Sequence, residues 1–476
     1  MGADPVEDRT GLTMRRLTIA AEKCRFLPSG RVTDDTSVLT LKTLVFEPLV
    51  RWTEGGRVMP ALFARWEVGA GGRRWLFHLR EGAVFHDGKP CLAEDVLAMI
   101  QGILGSVDMF GMKWSYSRYL AQATLSAPTR TTLLVENPEP FADILDIFSE
   151  FFICREDASG APVLGTGPYR VTGFAQDDFA ELSRVGDTPG PERITFRAIP
   201  DAAARMAALN AGDADAAMQL EKLEHGPRFE DAFAWGRAVS TLSVMHYLNC
   251  FAGAFAHPAV RLAINHAVDR HAILDGLFHG LGALSATVVS PLHLGAREAA
   301  LSPIAYDPER AKRLFEEAGT AGPIHLRTPL ELPEKARLIT QAVADALARI
   351  GLPSRIEEQP DRPEYAREVG RKQIGDVAIF DSSPHSTFRV LDDKVSSVNE
   401  AVWWQGYHDE EVQRLIAAAN RSVEDDAREA AYGAVLRRLQ ANPPWLYLFH
   451  PIEVFAARPG AGRFTLEGSG ILRVEG

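Results

Sequence analysis

A carboxylate follows a short apolar run in the second half of the chain. Asp381 comes directly after residues 377–380 (VAIF), which predict a strand, and Ser382 follows it. Burying a carboxylate without a partner is costly, so an ammonium group on a bound molecule would account for Asp381. A turn or helix-cap aspartate is the alternative interpretation.

Arginine and aromatic residues offer two further binding chemistries. Arg155 follows residues 151–154 (FFIC) and could clamp a carboxylate through two hydrogen bonds, although a salt bridge is the simpler explanation. Trp114 and Tyr116 could form a stacking wall or fill a core. Trp403 and Trp404 are adjacent, so one of them could be exposed, and we favour packing for the pair.

Histidine and cysteine do not form a metal-binding pattern. His385 follows a proline and could cap the next helix, and a lone histidine is a poor metal ligand. The four cysteines lie far apart along the chain and form no CxxC or Cys/His group, so we expect no metal site and no cofactor. Free thiols are favoured, and one long-range disulfide stays open.

The usual enzyme motifs do not occur in this sequence. It contains no G-x-S-x-G, no H-E-x-x-H, no P-loop and no G-x-G-x-x-G after a predicted strand. We therefore expect no catalytic activity.

Composition indicates a soluble globular protein larger than one ordinary domain. The chain has 476 residues, of which 46% are hydrophobic and 24% charged. Its formal net charge of −12 argues against nucleic-acid binding, which needs a basic face. No window approaches the apolar length of a membrane-spanning helix.

Elements that would position these residues alternate between strands and helices, which predicts an α/β architecture. Residues 40–66 predict a helix that runs into a polar turn, because apolar residues recur there at helical spacing. Helices are also predicted from Asp201 to Ala211, ending at Gly212, and from Asp307-Pro308 to Gly319.

The amino terminus leaves the compartment open. Residues 14–16 (MRR) resemble the charged part of a signal peptide, but the apolar run ends at Glu22, short of an h-region. We interpret residues 17–21 as a buried strand. Either a secretion signal has been removed or the protein is cytoplasmic.

Several segments, in their order and spacing, resemble the family 5 extracellular solute-binding proteins, the dipeptide, oligopeptide and nickel group. They are residues 46–50 (FEPLV), 60–62 with Trp66, 75–80 (WLFHLR), 84–90 (VFHDGKP), 165–169 (GTGPY), 260–270 (VRLAINHAVDR) and 306–311 (YDPERA) with Ala318-Gly319. Each is weak alone, and together they run in order from residue 46 to residue 319.

The resemblance implies a two-lobed α/β clamp of the periplasmic binding-protein type with an extra subdomain in lobe 1. It places the core of lobe 1 in residues 1–46, 166–242 and 440–476, the inserted subdomain in 47–165 and lobe 2 in 243–439. A small ligand would be enclosed between the lobes by hinge closure.

Within the family, the carboxy-terminal half looks most like the nickel- and metallophore-binding branch. This likeness implies that Trp114, Tyr365 and the loop from Phe380 to Ser383 line the cleft. Ligand contacts are predicted for Trp114, Arg155, Tyr365, Phe380, Asp381, Ser382 and His385. The loop before Pro384 is shorter than in that branch, and Ser396 and Ser397 stand where a metal-contacting histidine is expected, which argues against a direct histidine–nickel bond.

The implied function is capture of a small polar solute for an ABC importer, with a membrane permease as partner. A peptide, an opine-like compound and a metal–metallophore complex all stay open as ligands. We expect a periplasmic monomer. A cytoplasmic sensor or scavenger with the same fold is the alternative, and an enzyme is a remote one.

Overall fold

The computed structural model describes residues 16–28, 31–107, 111–320, 322–331 and 333–475. Helices and strands alternate throughout these ranges, which confirms the α/β class. Strands of the first half are β1 (Arg16–Ala21), β2 (Glu47–Pro48), β3 (Val50–Thr53), β4 (Arg57–Pro60), β5 (Phe63–Gly69), β6 (Arg74–Leu79), β7 (Thr124–Thr129), β8 (Thr132–Glu136), β9 (Phe152–Ile153), β10 (Tyr169–Ala175), β11 (Phe179–Arg184), β12 (Arg193–Ala198), β13 (Ala216–Ala217) and β14 (Ala234–Val239).

The remaining strands are β15 (Ser243–Leu248), β16 (Gly282–Leu284), β17 (Ile324–Pro329), β18 (Ser354–Gln359), β19 (Val377–Ser382), β20 (Trp445–Ala457), β21 (Arg463–Leu466) and β22 (Leu472–Glu475). The helices are α1 (Thr36–Val45), α2 (Ala93–Gly105), α3 (Ser115–Tyr119), α4 (Ile144–Phe148), α5 (Ala202–Ala211), α6 (Pro258–Ala267), α7 (Arg270–Phe278), α8 (Ala296–Ala299), α9 (Pro308–Glu317), α10 (Ala336–Arg349), α11 (Arg362–Gly370), α12 (Thr387–Lys394), α13 (Glu410–Arg421) and α14 (Asp425–Ala441).

A 12-stranded sheet runs through the molecule in two halves. One half contains β10, β11, β12, β1, β13 and β14, and β1 pairs in parallel with β12 and β13. The other half contains β15 to β19, in which β17 pairs in parallel with β18 and β19. Separate four-stranded and two-stranded sheets lie within residues 47–165.

Strand β20 joins the two halves of this sheet. Its first residues pair with β15 and β16, and its last residues pair with β14 and β13. The chain crosses between the halves a second time at residues 240–242, where the Ser240 amide donates to the Pro451 carbonyl at 2.8 Å. Two extended connections of this kind are suited to act as a hinge.

The largest buried hydrophobic cluster joins residues 47–165 to the second half of the chain. It contains Phe77 and Phe148 from that segment together with Tyr247, Phe388 and Trp445. Separate cores lie under β15–β19 and under β1, β10 and β12. The predicted boundaries of lobes and subdomain stay predictions. The packing adds that the inserted segment shares its core with residues assigned to lobe 2.

The helix predicted over residues 40–66 is wrong beyond its first turns. Helix α1 begins at Thr36, where the Asp35 side chain accepts a hydrogen bond from the Val38 amide, and it ends at Val45. The helix cannot continue far beyond Val45, because Pro48 disfavours a helical conformation at the residue before it. Strands β2 to β5 follow.

The buried strand expected at residues 17–21 is confirmed as part of β1. Met14 and Arg15, which suggested a signal peptide, lie outside the described residues. All four cysteines are free thiols. In the described parts of the chain, no helix combines the length and the apolar character that crossing a bilayer requires.

Candidate functional site

The end of β19 presents Phe380 and Ser382 on one face of the sheet. Strand β19 pairs antiparallel with β15, so that Ser382 lies opposite Ser243 and Phe380 opposite Met245. Because side chains alternate along a strand, Phe380 and Ser382 share a face with Tyr247 of β15. The Phe380 and Tyr247 ring centres are 5.7 Å apart.

Lys394, the last residue of α12, extends over this face. Its Nζ lies 5.9 Å from the ring centre of Tyr247, 5.6 Å from that of Phe380 and 5.9 Å from that of Trp403. It donates a hydrogen bond to the Asp381 carbonyl oxygen at 3.0 Å. We call Tyr247, Phe380, Lys394 and Trp403 the Lys394 cluster. A helix carboxyl end favours a cation, which helps to explain a lysine there.

Burial and neighbouring charges shift the pKa values of the groups around the Lys394 cluster in opposite directions. Burial lowers the pKa of Lys394 to about 8, although Asp381 pulls it upward. Burial raises the pKa of Asp381, and the charges of Arg362 and Lys394 offset only part of that rise. Arg362 lies over the Phe380 ring at 4.7 Å. Asp34, before α1, also acts electrostatically on Lys394, so the loop from the first half of the sheet borders this site.

Three buried polar atoms, two on this face and one in the residue before α3, have no hydrogen-bond partner among the described residues: Ser382 Oγ, Tyr247 OH and Trp114 Nε1. The Ser382 side chain and the Tyr247 ring are almost entirely buried. Leaving a buried polar group unpaired costs about 1–3 kcal/mol, and each such group calls for an explanation.

Trp114 reaches the region from residues 47–165. It precedes α3, and its ring centre lies 5.8 Å from that of Tyr116. Gly370, at the end of α11, packs between two loops: an added Cβ would lie 3.7 Å from Met112 Sδ and 3.1 Å from Val402 Cγ2. The loops that carry Trp114 and Trp403 therefore meet beside α11.

An ion pair attaches α12 to the inserted segment. Arg389 donates to both carboxylate oxygens of Glu150, at 2.5 and 2.6 Å, and the Tyr116 hydroxyl also donates to Glu150. Burial raises the pKa of Glu150, but the charge of Arg389 and the hydrogen bonds from Tyr116 and Arg389 act against this effect, and the pKa is lowered overall. These contacts hold the helix that ends in Lys394.

His385 is hydrogen-bonded within the protein. Its Nε2 and the Ser149 Oγ are 2.9 Å apart, and its ring centre lies 5.1 Å from that of Trp52. Burial lowers its pKa, so the imidazole is neutral at pH 7. His385 thus joins the loop after β19 to the inserted segment.

Tyr365 and Arg155 are placed differently from the other predicted site residues. Tyr365 is fully buried beside Phe380, and its hydroxyl donates to the carbonyls of Ile379 at 2.7 Å and Arg327 at 3.2 Å. Arg155 is bonded to Asp95 and stacks over Phe85 at 4.1 Å, within the inserted segment. The structure thus groups Phe380, Asp381 and Ser382 at the end of β19, with Tyr365 packed against Phe380. It brings the loop of Trp114 beside α11 and leaves Arg155 apart.

Sequence reasoning missed Lys394, Tyr247 and Arg362, and it favoured simple packing for Trp403. Residues 392–394 (DDK) have the composition of a solvated surface, yet all eight residues of α12 are buried. The one clue in the sequence was that these charged residues follow residues 377–385, the predicted strand and loop, after only a few positions.

Two open depressions lie elsewhere on the surface. Their volumes are about 550 and 340 Å³. The first is lined by Asp409, Glu410, Glu411, Arg414 and Arg438, and the second by Thr18, Asp178, Phe179, Glu181, Thr195, Arg197 and Asp213. Neither contains a predicted site residue, and charged surface side chains dominate both.

Comparison with known proteins places the chain in a family. Residues 57–388 match the profile described as "Bacterial extracellular solute-binding proteins, family 5 Middle". The nickel-binding periplasmic protein of Escherichia coli K12 is 28% identical over 296 residues, which cover 58% of this chain and 56% of that protein. The dipeptide-binding protein of Pseudomonas aeruginosa PAO1 is 24% identical over 479 residues, covering 89% of this chain and 86% of that protein.

A solved structure confirms the fold. The structure of NikA from Brucella suis in complex with Fe(III)-EDTA superposes with a TM-score of 0.79 at 21% identity, covering 97% of this chain and all of that one. The two-lobed binding-protein architecture expected from the sequence is thereby confirmed. The chain belongs to the bacterial extracellular solute-binding proteins of family 5, and its role is to bind a solute.

Proposed function

We propose that this protein captures a small polar solute at the face that carries Phe380, Ser382 and Lys394 and delivers it to the permease of an ABC importer. A peptide, an opine-like compound and a metal–metallophore complex are the candidate classes. The relatives support this range: one is named for nickel, another for dipeptides, and the superposed structure holds Fe(III)-EDTA.

The observation that carries the proposal is the group of buried, unpaired polar atoms Ser382 Oγ, Tyr247 OH and Trp114 Nε1. They come from three separate parts of the chain, and aromatic rings that would cover the apolar parts of a solute lie beside Tyr247 and Trp114. A polar ligand that pairs these atoms would recover the cost of leaving them unpaired. Apolar walls with few polar groups are typical of small-molecule sites.

Any metal would arrive inside a complex, as cargo. His385 is occupied by Ser149 Oγ. In the described residues, no group of three or more histidine, cysteine or acidic side chains is arranged to hold a metal ion. A chelated metal needs only groups that hold its chelator.

A screen by thermal unfolding tests the proposal. The purified chain is melted with dipeptides, with opines, and with nickel in the presence and absence of chelators. A solute at about 100 times its dissociation constant stabilises the folded state by about 2.7 kcal/mol, so at least one class should raise the melting temperature. Ser382→Ala and Trp114→Phe should reduce the rise, and Arg155→Met should preserve it.

If no class raises the melting temperature, the proposal fails. If nickel alone acts as strongly as nickel with a chelator, a protein–metal bond replaces the bound complex. We further propose a periplasmic location, in line with the extracellular family. Osmotic-shock fractionation of cells that express the native gene checks it, and recovery only with the cytoplasm would favour the sensor alternative.

A further inference from the structure

We propose that the solute carries a negatively charged group and that the ammonium of Lys394 receives it inside the Lys394 cluster. This inference rests on the proposed function and adds the charge class of the solute. Its support lies in the hydrogen-bond donors of this site and in the cations that already surround Asp381.

Lys394 has more donors than the protein uses. An ammonium group carries three N–H donors, and among the described residues the Asp381 carbonyl oxygen is the one acceptor that Nζ reaches. The Lys394 side chain is almost completely buried. Aromatic rings at 5.6–5.9 Å compensate part of the lost hydration of this charge, but they accept no strong hydrogen bond. An acidic group would supply the missing acceptors, in addition to the charges of Asp381, Asp393 and Asp34 that already act on Lys394.

The neighbouring unpaired atoms also favour an acceptor. Trp114 Nε1 can only donate, whereas Tyr247 OH and Ser382 Oγ can donate or accept. Tyr247, whose ring centre lies 5.9 Å from Lys394 Nζ, and Ser382, on the same strand face, can therefore donate to one acidic group together with Lys394. Charge-assisted hydrogen bonds of this kind are about twice as strong as neutral ones.

A cationic group of the solute is disfavoured at Asp381. Both Arg362 and Lys394 act electrostatically on this carboxylate, so a ligand ammonium beside it would meet two positive charges of the protein. Like charges brought together in this way discriminate against the wrong ligand. The charges of Arg362 and Lys394 thus already act on Asp381, where the sequence predicted an ammonium group of the ligand.

A purely structural role for Lys394 would explain fewer of these observations. Its place in the last turn of α12 and its bond to the Asp381 carbonyl explain why a cation stands there. They satisfy one donor of three, and a methionine of similar shape would fill the same space without burying a charge.

Chemical blocking of solutes tests the inference on wild-type protein. A small-molecule filtrate of a bacterial lysate is divided into four portions: untreated, amidated at carboxylates with carbodiimide and methylamine, treated with phosphatase, and acetylated at amines. We expect the untreated and acetylated portions to raise the melting temperature, and either amidation or phosphatase to abolish the rise. The effective treatment identifies a carboxylate or a phosphate.

A rise that survives both amidation and phosphatase overturns the inference, as does a rise that acetylation alone abolishes. In either case the proposed function stands. If no portion shifts the melting temperature, the proposed function itself fails. Because the four portions are tested on wild-type protein, they decide whether the solute is acidic even if a variant does not fold.

A matched pair of variants tests the residue. Lys394→Met should lose at least nine-tenths of the affinity for the active portion while melting no lower than wild type without solute. Lys335→Met is the control, because Lys335 also lies over an aromatic ring, Phe278 at 5.0 Å, and donates to one backbone carbonyl, that of Leu277, in the other core. A Lys394→Met protein that binds like wild type, or a Lys335→Met protein that loses binding equally, overturns the assignment to Lys394.

Discussion

Arg389 donates two hydrogen bonds to the Glu150 carboxylate, at 2.5 and 2.6 Å, across the contact between α12 and residues 47–165. Both side chains are about nine-tenths buried, and the Arg389 guanidinium also stacks over the Tyr116 ring at 4.7 Å. This pair connects the inserted segment to the helix that ends in Lys394. The binding face and the subdomain contact are therefore parts of one packed unit.

Breaking the Arg389–Glu150 pair should cost far more than breaking an exposed one. Arg389→Met leaves the Glu150 carboxylate buried without its cation, and we expect a loss of about 3–5 kcal/mol in the free energy of unfolding. Urea denaturation followed by circular dichroism measures it. Arg414→Met, which removes a partner of the exposed Glu411, should cost far less, because water and salt screen an exposed pair. Equal losses in both variants would contradict the role given to burial.

Affinity for an acidic solute should fall at high pH. Burial lowers the pKa of Lys394 to about 8 with a smaller contribution from Arg389, while Asp381, Asp393 and Asp34 pull it upward. Above about pH 8 the empty site loses the charge that attracts an anion, so the dissociation constant should rise with pH. Calorimetric titration across this range checks the trend.

The stability of the unliganded protein should rise with pH, opposite to the affinity for an acidic solute. An unfolded lysine stays protonated up to about pH 10, so between about pH 8 and 10 the unfolded chain binds more protons and stability from Lys394 increases with pH. The buried charge costs on the order of 3 kcal/mol at neutral pH. Lys394→Met should remove both trends. A difference between variant and wild-type stability that is constant over this range would refute the lowered pKa.

Tyr365 should stabilise the fold rather than bind solute. Its hydroxyl is used by the Ile379 and Arg327 carbonyls, so Tyr365→Phe should lower the free energy of unfolding by about 1–3 kcal/mol and leave solute affinity unchanged. Denaturation and calorimetry on the same preparation separate the two effects. Weaker binding at unaltered stability would restore the direct ligand contact expected from the sequence.

Arg155→Met should leave solute affinity unchanged. Its guanidinium is held by Asp95 and by the Phe85 ring, inside the inserted segment. Because the side chain is one-third exposed, the loss of stability should be about 1 kcal/mol. Trp114→Phe is the contrasting variant, since it keeps a ring but removes an unpaired donor, and it should weaken binding by about 1 kcal/mol. Reversed effects would exchange the roles of these two residues.

Local signals predicted the elements that depend on neighbours in sequence. The helix expected from Asp201 to Ala211 is α5, with Asp201 accepting from the Ala204 amide and Gly212 at φ 83° just after it. Asp307 likewise caps α9 through the Arg310 amide. The helix expected over residues 40–66 failed for the converse reason, since apolar spacing alone did not reveal that a run of strands begins at Glu47, just before Pro48.

The sequence by itself determined the α/β class, the family and residues 380–383 as a place to look for binding, because short motifs and their order encode these features. Only the tertiary structure determined which charged side chains are buried and lose their hydration. Pairing of β15 with β19 brings the rings of Tyr247 and Phe380 to Lys394, and the segment between α12 and α13 adds the ring of Trp403. Asp381 drew attention as the acid that needs a cation, and the fold supplies Arg362 and Lys394 beside it. Desolvation and charge pairing depend on distances in space, which spacing along the sequence does not contain.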